Sequence, residues 1–243
     1  MKKIIVFIFL FLAQVITAQF ALIKDKDGIV NVREKADIKG GIVGTVATNE
    51  LVYLTLTDAI TPNPNWEYVF YENLVNKESV VGYIHRSRLQ KIDDFLKINY
   101  FKTINNTVYF RNDIEKIEVE ITIQSFNSIK QINKFKIKDG FYYAYKEKQI
   151  WGTDGGLPNS CYKSVKYKKG NQKAEVPQSE LENLFQPTII ANSSDFEFIK
   201  VNYDKENDVL YISSLNSDGA GGYLVLFVFE KGNYKEIKPI IPF

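Results

Sequence analysis

Three residue types are almost missing from this 243-residue chain, which has one cysteine, one histidine and one methionine. A single thiol, Cys161, excludes an intramolecular disulfide, so stability must come from core burial, which a chain of this length can supply. A single histidine, His85, excludes zinc sites built from several imidazoles. It also leaves only one pairing for a cysteine nucleophile, and the two residues fall in different predicted domains. An excess of either charge is missing too, since 31 Lys and Arg stand against 29 Asp and Glu. That balance has no long-range field to gather phosphate backbones, so nucleic acid is not an expected partner. Long apolar runs are also lacking. Ile4 to Leu12 is unbroken, but it falls short of the roughly 20 residues that span a bilayer.

What is present begins with that run. Met1-Lys2-Lys3 precedes it, and Thr17-Ala18 stands before Gln19, the layout of a secretory signal peptide over residues 1–18. The remainder is expected to be periplasmic or secreted, with no membrane span after cleavage. No cysteine lies at the cleavage point, which argues against a lipid anchor. Aromatic residues make up 14% of the chain, and flat or β-branched side chains favour the pleated surface of strands. The expected fold class is all-β.

From Gly28 onward short apolar stretches alternate with turn residues. Ile29-Val30-Asn31-Val32-Arg33, Ile42-Val43-Gly44-Thr45-Val46 and Leu51 to Thr57 read as strands. Pro62 and Pro64 force a loop. Trp66 to Tyr71 and Val80 to Ile84 follow, and Ser87-Arg88-Leu89 closes the unit. The opening Val-Asn-Val-Arg, the apolar pair before Gly44-Thr45, the Trp-led strand and the Gly82-Tyr83-Ile84-His85 ending together resemble a bacterial SH3 (SH3b) domain. The resemblance covers about a quarter of the chain, with longer loops at Thr61–Asn65 and Asn73–Ser79. It implies a small β-barrel over residues 19–92, found mainly in envelope and wall proteins, that binds wall peptides or other extended ligands. The side chains implied for such a ligand are Tyr53, Trp66 and Tyr83, with Asn31 and Arg33 nearby. Each aromatic is equally suited to packing a small core. His85, at the end of the pattern, is expected to be structural.

Gln90 to about Tyr100 is mixed and charged and reads as a hinge. Residues 100–243 form a second unit, expected to be a β-sandwich or open barrel with one short helix. Ile117 to Ile123 alternates strictly, as a half-buried strand does. Phe135-Lys136-Ile137, the turn at Asp139-Gly140 and Phe141 to Tyr145 make a hairpin, and a second runs from Val165 to Val176. Phe196 to Tyr203 and Val209 to Ser213 follow. Tyr223 to Phe229 has no polar alternation, which predicts a strand covered on both faces. The helix is expected over Glu180–Phe185, with Ser179 and Glu182 as a capping box.

Two glycine-rich loops stand out, Trp151 to Pro158 and Asn216 to Tyr223. Glycine lets backbone amides approach a ligand, with Trp151 and Tyr223 as flanking aromatics and Asp154 and Asp218 as carboxylates. These two acids are candidates for a Ca²⁺ site or an acid–base pair, which other carboxylates of the chain could also supply, although neither loop has the alternating oxygens of an EF-hand. Two Asp-Gly turns are the plain alternative. The sequence thus points to an exported, non-enzymatic envelope protein that binds a cell-wall fragment, a peptide or a protein partner, without a cofactor. A wall hydrolase using carboxylates of the second unit and an inhibitor or immunity-type protein are the alternatives.

Overall fold

The structure is a computed structural model describing residues 19–55, 63–72, 79–189 and 197–241. The leader, Thr61 and Pro62 of the first long N-terminal loop and most of the second lie outside them. Strands β1 (Gln19–Ile23), β2 (Ile29–Arg33), β3 (Ile42–Ala47), β4 (Leu51–Leu54), β5 (Trp66–Glu72), β6 (Ser79–His85) and β7 (Leu89–Lys91) form one sheet in the order β3-β2-β6-β5-β4-β1-β7. Period-two alternation sends Ala21, Ile23, Val30, Val32, Val52, Val69 and Ile84 into one core. No ladder joins β3 to β7 among the described residues, so the sheet is open rather than a closed barrel.

Strand β1 is an addition to the sequence reading. Phe20-Ala21-Leu22-Ile23 continues the apolar character of the leader, yet it occupies an inner position between β4 and β7. The hinge expected over Gln90–Tyr100 is corrected as well. That segment holds the end of β7, a 3-10 turn at Ile92–Asp94 and β8 (Leu96–Lys97). Ile92 is buried, and β8 pairs with a strand of the second unit. Ordered backbone pairing and a buried anchor leave no slack for a hinge.

The second unit contains β9 (Asn99–Ile104), β10 (Thr107–Asn112), β11 (Ile117–Ser125), β12 (Phe135–Lys138), β13 (Phe141–Tyr145), β14 (Lys148–Gln149), β15 (Ser160–Lys169), β16 (Gln172–Glu175), helix α1 (Gln178–Leu181), β17 (Ile199–Asp204), β18 (Val209–Asn216), β19 (Tyr223–Glu230) and β20 (Asn233–Ile240). Sheet β16-β15-β11-β10-β9 packs against sheet β20-β19-β18-β17-β8. Val119, Ile121, Tyr162, Val165 and Tyr167 from the first meet Val201, Ile212, Val225, Phe227 and Phe229 from the second in one core. This is the expected sandwich. Strands β12, β13 and β14 form a small third sheet, joined by a turn with Asp139 at φ 52° and Gly140 at φ 86°, the left-handed pair that suits a tight hairpin.

The sandwich sheet containing β19 is covered twice. Its other face sends Val209, Tyr211, Leu224, Leu226 and Val228 into a cluster with Phe20, Leu22, Leu51 and Tyr53 of the N-terminal sheet. Three sheets are therefore stacked, and β19 is buried throughout except at its last residue. The lack of polar alternation in Tyr223–Phe229 has this cause.

Helix α1 is a single turn, shorter than expected, and starts earlier, after Pro177. The capping box does not form, because the N-cap has no side-chain hydrogen bond. Glu182 instead faces two lysines across the chain, Lys146 at 2.6 Å and Lys148 at 3.3 Å. Those ion pairs hold its carboxyl below the usual range, with the Lys146 hydrogen bond the largest cause.

Candidate functional site

Strand alternation that fills the N-terminal core also writes a second row on the opposite face. With Val69 and Tyr71 inward on β5, Trp66, Tyr68 and Phe70 must point outward. Cross-strand register places Tyr68 opposite Tyr83 on β6, and Tyr83 opposite Arg33 on β2. Arg33, Tyr83 and Tyr68 thus lie in line across three adjacent strands. The two tyrosine rings are 4.9 Å apart at their centroids, tilted by 59°, within the range of attractive aromatic pairs. Both are half-buried, and Asn31, on the same side of β2, is exposed. Arg33 Nη1 donates to the Gly40 carbonyl at 2.7 Å, which fixes the stem and leaves further guanidinium donors at the row.

The close approach of β2 to β6 depends on Gly82. A Cβ there would lie 2.5 Å from the Arg33 carbonyl oxygen and 2.9 Å from a Val32 methyl. Glycine is therefore what aligns Arg33 with the tyrosines.

The other predicted members of this site are distributed differently. Tyr53 is 3% exposed and packs edge-on against Phe20 with centroids 5.6 Å apart, inside the contact between the N-terminal sheet and the sandwich sheet that carries β19. Burial pushes its hydroxyl well above the ordinary tyrosine range. It is a packing residue, which corrects its assignment as a ligand contact. Trp66 is buried as well, edge-on to His85 at 5.4 Å. Tyr68 is the residue that the sequence reading passed over. Its signal was its place two residues after Trp66, on the same face of the strand.

His85 is structural in geometry. Its Nδ1 accepts the Ser87 backbone N–H at 3.3 Å and lies 2.8 Å from Ser87 Oγ, capping the 3-10 turn Arg86–Arg88. Glu67 fastens that turn through Arg86 at 2.9 Å, with Lys91 at 3.4 Å. Cys161 lies buried in another sheet, on β15. Burial pushes its thiol pKa up, against a hydrogen bond from Gln124 that lowers it.

The two glycine-rich loops do meet. Ser217 Oγ donates to the Gly152 carbonyl at 3.0 Å. A Cβ on Gly221 would stand 3.0 Å from Asp154 Oδ1 and 3.0 Å from the Thr153 carbonyl carbon, so the loops interlock where glycine leaves room. Beneath them, Asn216 Oδ1 accepts from Ser214 Oγ at 2.8 Å, the Thr188 backbone N–H at 2.9 Å and the Tyr162 hydroxyl at 3.1 Å. Asn216 and Ser214 have no exposure, and a satisfied buried network of this kind fixes a loop firmly. Tyr223, equally buried, donates its hydroxyl to the Phe185 carbonyl at 3.0 Å. Trp151 packs on Tyr223 at 6.1 Å. Tyr223 is therefore core rather than a ligand platform, a second correction, and Trp151 is half-buried against it.

Asp154 and Asp218 remain exposed. They do not fit a Ca²⁺ cage, which needs six to eight oxygens: among the described residues no group of three carboxylate, histidine or cysteine side chains converges. The loops serve as a buried joint between β18–β19 and the β14–β15 connection.

The fold and its outward row define an all-β protein of three stacked sheets carrying a half-open tyrosine–arginine stripe. Compared with protein-family models, curated proteins and solved structures, the chain matches none.

Proposed function

We propose that this is an exported envelope protein with a non-enzymatic binding role, whose SH3b-like N-terminal unit holds an extended cell-wall fragment across Arg33, Tyr83 and Tyr68. The observation that carries this reading is the alignment of these three side chains on the part of the sheet that the sandwich leaves uncovered. Paired tyrosine rings offer flat apolar area to sugar rings or peptide groups. The guanidinium supplies donors suited to a carboxylate, and the Asn31 amide adds a donor and an acceptor. The isolation of His85 from Cys161, in separate sheets, favours binding over nucleophilic chemistry.

Co-sedimentation of the chain from Gln19 with purified peptidoglycan tests the proposal. The unaltered protein should pellet with the wall material, while Tyr68→Ala and Tyr83→Ala should remain in solution with nearly unchanged melting temperatures. An unaltered protein that stays in solution would overturn the wall reading.

A further inference from the structure

Among the described residues exposed large apolar side chains recur at Ile29–Val43 and Tyr100–Ile114, and the fullest group, five in fifteen residues, is at Ile129–Tyr143. Ile129, Ile132, Ile137, Phe141 and Tyr143 are between 41% and 72% exposed, all within the 3-10 turn Ile129–Lys134 and the β12–β13 hairpin that follows it. Isolated exposed apolar residues are ordinary, whereas a local concentration marks a surface that meets something other than water.

The hairpin is well anchored, so this exposure does not come from loose packing. Phe135, Tyr142 and Tyr145 pack with Phe126 and Phe185 in an aromatic cluster. The Tyr142 backbone N–H donates to the Gly155 carbonyl at 2.9 Å, tying the strand to the interlocked loops. A hairpin with one face packed should be polar on the other. This one instead presents Phe141 and Tyr143, and Ile129 and Ile132, three apart, share one side of a 3-10 turn.

The charges around these residues are predominantly positive. Residues 129–148 contain six lysines and two acids, Asp139 and Glu147. Lys136 pairs with Glu147, and Lys146 and Lys148 pair with Glu182. Lys130, Lys134 and Lys138 have no carboxylate partner among the described residues and are exposed. Apolar prongs surrounded by unpaired lysines complement a bilayer surface of anionic lipids. The side chains enter the boundary between headgroups and acyl chains, and the ammonium groups meet lipid phosphates.

We infer that the Ile129–Tyr143 segment is a peripheral membrane-docking surface selective for anionic lipid, separate from the tyrosine row of the N-terminal sheet. No helix among the described residues is long and apolar enough to cross a membrane, and the docking is superficial.

Vesicle flotation with the chain from Gln19 tests this, using phosphatidylglycerol mixed into phosphatidylcholine against phosphatidylcholine alone. The protein should float with the anionic vesicles only, and 0.5 M salt should release most of it, since about 4 Å of screening length remains there. Replacing Lys130, Lys134 and Lys138 with Gln should weaken partitioning about 100-fold, from roughly fivefold per lysine. Phe141→Ser with Tyr143→Ser should weaken it at least tenfold. Should that pair unfold the hairpin, Ile129→Ser with Ile132→Ser outside the strands gives the same reading. Absence of flotation with either vesicle overturns the inference. So does equal binding to both, or a concentration-dependent dimer that disappears with the Phe141 and Tyr143 variant while vesicles are ignored.

Discussion

Two parts of one sheet face, separated by two residues on β5, have opposite fates. Phe70 faces Tyr53 across the ladder; Tyr53 is buried in the contact with Leu224, Leu226 and Val228 of the sandwich, and the half-buried Phe70 packs against that contact. Tyr68 faces Tyr83, and this pair stays half-open to solvent. The residue types are the same, and so is the direction in which the side chains leave the sheet. Only the position of the sandwich sheet that carries β19 separates a fully packed aromatic from one left half-open to solvent. An aromatic row on a small β unit therefore has no fixed meaning until its neighbour in the stack is known.

Breaking the docked part should cost most. Tyr53→Ala removes a buried ring between two sheets and is expected to destabilise by about 3–5 kcal/mol, read as a lower denaturant midpoint. Gly82→Ala attacks the alignment of the open part. Its methyl must push β2 from β6, at a cost of about 1–3 kcal/mol, and it should reduce peptidoglycan retention as Arg33 moves out of line. Tyr68→Ala and Tyr83→Ala should each cost about 1 kcal/mol or less in stability, because half-buried rings lose less area, while abolishing retention. Equal destabilisation by Tyr53→Ala and Tyr68→Ala would erase the contrast between the two parts.

The smallest expected effect concerns acid. The docked contact is apolar, so protonation should act elsewhere, above all at Asp208. Burial opposes ionisation of this carboxyl, but hydrogen bonds from Lys169 at 2.8 Å and from the Tyr203 hydroxyl at 2.8 Å outweigh it and hold its pKa below the usual range. A depressed folded-state pKa contributes stability that is present above the unfolded value, near 3.9 for Asp, and is lost as pH falls through the folded one. The melting temperature should therefore decline as pH drops below about 4, and Asp208→Asn should flatten that decline. Tyr53→Ala should leave its slope unchanged.

Local pattern accounts for much of this architecture. Alternation in Ile29–Arg33 and Ile117–Ile123 marks strands with one wet face, and the unbroken apolar run at Tyr223–Phe229 marks one with none. Asp139-Gly140 identifies its hairpin turn. What local pattern misses are choices made at a distance. Phe20 to Ile23 lies ahead of the first strand read from the sequence, and only pairing with Val52 and Tyr53 makes it a strand. Ser179 and Glu182 have the spacing of a capping box, but two lysines on the β13–β14 turn and on β14 claim the carboxylate. Asp154 and Asp218 read as site residues, although their loops are joined for packing through Ser217 and Gly221. Tyr53 and Tyr83 cannot be told apart without the sandwich sheet that carries β19.

The most direct test of the partition is an NMR titration of protein labelled at its tyrosine rings with soluble peptidoglycan fragments. The account predicts that the Tyr68 and Tyr83 signals shift in a saturable way while Tyr53 and Tyr211 stay fixed. Saturable shifts at Tyr53 with Tyr68 and Tyr83 unmoved, or no shifts at any tyrosine, would contradict it.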